Sequence, residues 1–376
     1  MKLTHILGTA TLALLTSAAA NAEVRINGFA NLVVDRSNTD YSVQGSDDKV
    51  SFSNFSLFAL QVSGDISDKL TATGQIISRG SENYSAEFEW AYLTYQHSDK
   101  LSISAGRLRL PLFLYSETLD VGYSYHWINA PQSVYDIAFN NIDGVRAVYS
   151  DYYGDWELNA QAAAGVITNT GFEGTSLRAD NTALISLQLA NDVFKARIVH
   201  GRATGTLNSP EVDALLPAVA QFDPVLADLL AFDEDTGIFY GASLSYDNFE
   251  WFANAEYTYN ENKDTFIPTD EAMYVSAGIR LGKWTPSATY EKKNGVGAFK
   301  FLDRLNALPP PVQQGIAPIV IGTQISQSDK SETFTLGIRY DFSAGIALKG
   351  EVSRFDDKYN EDLDGTIVRA AVHYIF

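Results

Sequence analysis

From Val368 to Phe376 every second residue is apolar (Val368, Ala370, Val372, Tyr374, Phe376), while the interleaved positions carry Arg369 and His373. An extended strand sends successive side chains to opposite faces, so this pattern predicts a strand with one apolar and one charge-bearing face. The same alternation sets Trp251, Ala253, Ala255, Tyr257 and Tyr259 against Glu250, Asn254, Glu256 and Thr258. It recurs at 331–341, where Phe334, Leu336, Ile338 and Tyr340 oppose Thr333, Thr335, Arg339 and Asp341.

Applied along the chain, the period-two test predicts sixteen strands: 23–35, 51–64, 69–79, 86–96, 100–107, 143–150, 155–167, 181–190, 192–202, 237–246, 248–260, 271–281, 283–293, 331–341, 345–355 and 364–376. Their connections alternate in length. Short ones such as YDN (246–248) and LGK (281–283) separate long ones at 36–50, 80–85, 108–142, 169–180, 203–236, 261–270, 294–330 and 356–364. A soluble sheet buries its apolar face and has no reason to sort its connections this way. An outer-membrane barrel turns that face to lipid, with short periplasmic turns and longer outer loops. The last strand then pairs with the first, because unpaired backbone groups are very costly in lipid.

The aromatic residues keep register with the turns. Trp156, Trp251 and Trp284 each follow a short turn, and Tyr149, Tyr246, Tyr340, Phe342, Tyr374 and Phe376 lie at the same rim. Amphipathic rings favour the headgroup level, so this predicts a periplasmic girdle. The longest apolar stretch, 214–232, is interrupted by Pro217, Asp223, Pro224 and Asp228, which excludes a helical span. With no cysteine among 376 residues, neither disulfides nor thiolate metal sites are available. Residues 1–22 hold Lys2, an apolar run and Ala20-Asn21-Ala22, the pattern of a secretory signal peptide cleaved after Ala22. The expected organisation is a signal at 1–22 and one barrel domain at 23–376.

With its signal, sixteen strands, terminal Phe376 and long third outer loop at 107–141, the chain resembles the Gram-negative outer-membrane porins. The resemblance spans 23–376 and is architectural; no porin motif matches the third loop residue by residue. It implies an all-β transmembrane antiparallel barrel of sixteen strands, usually a homotrimer, whose third loop folds inward to narrow the pore. The second loop, at 80–85, is short, whereas in many family members it latches onto a neighbouring subunit. Residence in the outer membrane implies lipid and lipopolysaccharide as partners.

A sixteen-strand barrel encloses an aqueous channel unless loops fill it, and lining charges then set selectivity. By parity, Arg146, Arg197, Lys349 and Arg369 are expected on the inner wall with Glu256 and Glu351. The third loop would set Glu117, Asp120 and Asp136 against them, with Arg107 and Arg109 framing its entrance, although Arg107 shares the outward parity of Ile103 and Ala105. Such charges either set a field across the pore or satisfy one another between neighbouring strands. The rings of Tyr115, Tyr123, Tyr125, Trp127 and Tyr135 either offer a stacking surface to sugars and aromatic solutes or pin the loop to the wall.

Net charge is −19, and the long connections carry 26 acidic against 9 basic residues, so the outer surface is strongly negative and would repel nucleic acid. His97, His126, His200 and His373 lie on separate strands or loops, with no nucleophile–base constellation. No catalytic role, metal or cofactor is expected. The predicted function is passive diffusion of small hydrophilic solutes and ions. The alternatives are a solute-selective channel narrowed by loops 108–142, 203–236 and 294–330, or a non-conducting structural or adhesive barrel.

Overall fold

The computed structural model describes residues 23–135, 139–170, 175–263, 265, 267, 269–295, 300–326 and 329–376; the signal segment and Asp136 lie outside them. Sixteen strands form one closed antiparallel sheet: β1 (Val24–Ser37), β2 (Leu57–Ser67), β3 (Leu70–Arg79), β4 (Ala86–Ser98), β5 (Leu101–Arg109), β6 (Asn141–Tyr153), β7 (Trp156–Thr170), β8 (Ser176–Ala190), β9 (Phe194–Asn208), β10 (Asp235–Asp247), β11 (Trp251–Asn262), β12 (Asp270–Ile279), β13 (Trp284–Gly295), β14 (Asp329–Ser343), β15 (Ile346–Asp357) and β16 (Gly365–Ile375). β1 pairs with β2 on one side and with β16 on the other, so the sheet has no free edge.

The predicted faces hold. Val275, Leu336 and Val368 project outward and are about half exposed in the isolated chain, whereas Ser276, Thr333 and Arg369 turn inward and are buried. Lipid, not water, is the natural neighbour of such an apolar exterior. At the short-turn rim Trp284 packs on Tyr340 at 4.4 Å and Tyr246 on Trp251 at 4.5 Å, both as neighbouring-strand pairs in the expected girdle.

The largest departures from the expected boundaries are at the start of β2, at the β7–β8 connection and at the end of β9, which runs on to Asn208 instead of stopping at 202. β2 begins at Leu57, not at 51, because Ser51 Oγ accepts from the N–H groups of Ser53 and Asn54 and draws 51–56 into a turn. Serine hydroxyls offer the backbone this local alternative to a ladder. The expected long connection 169–180 shortens to 171–175, since β7 and β8 continue past bulges at Gly165/Ile167 and Ala179/Ala183. Past the bulges Ile167 and Ala179 are buried inside while Arg178 and Asp180 are exposed outside, so the apolar-outward alternation no longer signals a strand.

The third loop enters the lumen and carries a short helix, α1 (Gln132–Tyr135). Loop 209–234 folds as α2 (Pro210–Asp213), α3 (Leu216–Ala220) and α4 (Pro224–Ala231), and the loop near 300–326 as α5 (Leu302–Ala307) and α6 (Pro310–Ser326). These helices pack on one another through Val219, Leu226, Leu230, Leu305, Ile316 and Val320, and an Arg304–Asp223 ion pair at 2.9 Å ties the two loops together. They form a helical cap with its own core, which accounts for the apolar character of both segments.

Candidate functional site

The third loop leaves β5 and returns to β6 through a narrow neck, where Leu110 N–H donates to the Asn140 carbonyl at 2.7 Å. Beyond the neck, Leu112, Phe113, Tyr125, Trp127, Val134 and Tyr135 are buried in a core completed by inward residues of the barrel, among them Leu184, Val199, Phe239 and Tyr274. Phe113 packs on Tyr135 with tilted rings at 4.6 Å, and Trp127 meets Tyr274 edge-on at 5.4 Å. The Trp127 indole N–H donates to Thr289 at 2.8 Å. The tyrosine and tryptophan tract therefore pins the loop.

Charged side chains of the wall complete the attachment by pairing with the loop's backbone. Arg197 donates to the carbonyls of Pro111 and Phe113. Lys349 Nζ donates to the carbonyls of Gly122 (2.6 Å), Tyr125 (2.7 Å) and Trp127, and Arg339 to those of Tyr123 (2.6 Å) and Tyr125 (2.8 Å). In the opposite sense, Glu256 accepts from Leu114 N–H (2.8 Å) and the Tyr135 hydroxyl (2.7 Å). Glu351 accepts from Ile128 N–H (2.7 Å) and Glu291 from Ser133 N–H (3.0 Å). A buried loop must satisfy its backbone groups without water, and hydrogen bonds to ionised partners are the stronger kind. The loop is fixed as a partition.

One edge of the partition is held by a compact ion network. Asp120 pairs with Arg109 and with Arg79 (3.2 Å), while Glu89 bridges the same guanidinium groups at 3.1 and 2.7 Å. Burial alone would raise the Asp120 carboxyl; Arg109 and Arg79 overcome it and hold the group below the ordinary carboxylate range. At the neighbouring edge Arg146 of β6 meets Glu117 of the loop at 2.6 Å, and Glu117 is half exposed. Burial, with Lys349 and Arg339 nearby, keeps the His126 imidazole well below its usual range, and its Nε2 lies 2.8 Å from the Ser276 hydroxyl.

The expected arrangement of a basic wall facing an acidic loop is thus corrected in part. Among the described residues, Arg146 is the one of the four wall bases that meets a loop acid; Arg197 and Lys349 are spent on loop carbonyls. Arg369 donates instead to the Gln44 carbonyl at 2.9 Å, because the first loop also folds into the lumen, with Val43 buried. Arg107 is not a constriction residue. Its alternation with buried Leu108 turns it to the exterior, 4.0 Å from the equally outward Asp143. Arg79, Glu89, Glu291 and Arg339 were not among the expected site residues. Glu89 escapes parity reasoning because a bulge at Gln75/Ile76 interrupts the register of β3 and β4; Glu291 and Arg339 sit on the readable inward parity of β13 and β14.

On the outer side of the partition lies a cavity of about 560 Å³, bordered by Asn31, Gln44, Asp120, Gln132, Lys293 and Ser331. Its lining mixes polar and apolar groups and comes from both inward loops and the barrel wall. Among the described residues, no cluster of three or more His, Asp or Glu is placed to hold a metal ion.

Comparison with known proteins agrees with this architecture. The family model described as Gram-negative porin matches residues 8–360. No curated protein sequence matches the chain. Among solved structures, the outer-membrane channel DcaP of Acinetobacter baumannii is similar at a TM-score of 0.59 and 14% identity, covering 94% of this chain and 97% of that one. OmpF of Salmonella typhi in complex with daunomycin aligns at 0.58 and 13% identity, covering 94% and 98%. The anion-selective porin from Comamonas acidovorans aligns at 0.58 and 13%, covering 94% and 100%. A closed sixteen-strand barrel with a lipid-facing exterior, an inward third loop and a family match over most of its length place this chain among the Gram-negative porins, as an outer-membrane diffusion channel.

Proposed function

We propose that this porin is a narrow channel for small polar solutes, not a wide sieve. The observation that carries the reading is the attachment of the third loop. Wall charges from β9, β11, β13, β14 and β15 bond its backbone, so the loop subdivides the lumen permanently. Solutes then pass the edge of the loop at the Arg146–Glu117 pair, where paired charges favour polar over apolar cargo. The chain acts without catalysis, after export by the 1–22 segment and cleavage behind Ala22. A homotrimer in contact with lipid and lipopolysaccharide is the assembly this reading implies; one similar structure, OmpT of Vibrio cholerae, is described in a trimer form.

Single-channel recording in a planar bilayer tests the reading. Wild type should give small ohmic steps. Arg146→Ala, which removes the bridge to Glu117, should raise the step conductance and alter the reversal potential in a salt gradient. Large steps in wild type, unaffected by Arg146→Ala, would contradict it.

A further inference from the structure

A second hollow, of about 290 Å³, lies inside the barrel across the third loop from the first cavity; Ser133 borders both. Its wall is apolar, formed by Leu110 and Leu112 of the loop, Leu184 and Phe239 of the barrel, and Phe232 at the foot of the helical cap. Protein interiors rarely keep voids larger than a water molecule, whereas ligand sites begin near this volume and are mostly apolar with a few polar groups. A dry apolar cavity of about 150 Å³ suffices for benzene.

Gly201 of β9 helps keep this space open. A Cβ built there would meet Leu184 and Phe239 at an ordinary 3.6 Å, and its φ lies outside the left-handed region, so the backbone does not require glycine. Glycine weakens a strand interior and often marks close approach of another group. Thr182, Thr258, Asn260 and Asn262 supply uncharged hydrogen-bonding groups around the hollow. Asp235, Asp270 and Arg202 also border it, with Lys293 3.8 Å from Asp270, so the rim carries both signs and favours a head without net charge.

We infer that this hollow is a binding site for the single aromatic ring of a neutral, hydroxyl-rich solute such as an aryl glycoside. The ring enters between Leu184 and Phe239, and the polar part stays among the amides and hydroxyls of β8 and β11. The inference rests on the channel reading only for how the solute arrives.

Saturation-transfer NMR on the barrel in lipid nanodiscs tests it, with phenyl β-glucoside as probe and methyl β-glucoside as the ring-free control. Wild type should saturate the phenyl protons strongly and the control weakly. Gly201→Leu should weaken phenyl β-glucoside binding at least about fivefold and leave the control unchanged. Ala203→Leu, on the same wall, serves as a second filling variant if the first does not fold. Equal signals from both glucosides in wild type, or undiminished ring binding in the folded variants, would overturn the inference. Because binding is read without ion flow, a barrel that binds the ring and never conducts would sink the channel reading alone.

Discussion

The phenyl ring of Phe376 occupies the space that a side chain on Gly28 would need: a Cβ at Gly28 would fall 2.2 Å from the ring. The two backbones exchange hydrogen bonds of 3.0 Å in each direction, and the ring stacks with Tyr374 at 5.4 Å and Phe58 at 6.2 Å. The last residue thus covers the first strand on the lipid side of the closing seam. Gly28→Leu should overpack this seam by about 1–3 kcal/mol and lower the yield of heat-modifiable folded barrel. Adding Phe376→Ala should restore much of that yield. An additive double variant, with no rescue, would show that the ring and the glycine do not share this space.

Lys349 gathers three loop carbonyls around one ammonium group. Lys349→Met keeps most of the side-chain length and removes the donor; the Tyr125 carbonyl keeps Arg339, but those of Gly122 and Trp127 lose this bond at about 1–3 kcal/mol each before relaxation. The loop should loosen, so both a lower melting temperature and noisier, larger single-channel currents are expected. Quiet currents of wild-type size would mean that the other wall contacts suffice.

The Asp120 carboxyl is held below its ordinary value in the folded barrel. Its contribution is therefore complete above the unfolded value, near ~4, and is lost as pH falls through the lower folded value. As pH falls through that range, wild-type conductance should rise or become unsteady as the Arg79–Arg109 network opens. Asp120→Asn should already be looser at neutral pH, at a cost of about 3 kcal/mol for leaving buried guanidinium charge short of a partner, and should show a flatter acid limb. Melting curves and bilayer currents across this pH range read both effects.

The barrel was legible because lipid imposes the same rule on every strand: outward residues must be apolar, and Val275, Leu336 and Val368 each repeat that signal. The lumen imposes no such rule. An inward Arg197 or Lys349 has the same parity whether it faces water or a loop carbonyl, and only contacts between residues more than 80 positions apart decide which. The third loop's aromatic tract announced itself by composition, yet the first loop's entry did not, because Ser51, Phe52 and Ser53 mimic the alternation of a strand. Glu89 was hidden by a bulge, a one-residue event that period-two reasoning cannot see.

Polymer-exclusion sizing of the single channel tests the fixed partition most directly. Currents from wild type and from a barrel whose residues 112–135 are replaced by a short Gly-Ser linker are compared with polyethylene glycols of increasing size. If the loop is fixed across the lumen, wild type excludes all but the smallest polymers, and the deletion barrel conducts several-fold more and admits larger ones. Matching conductance and matching polymer cutoff in the two barrels would contradict the account.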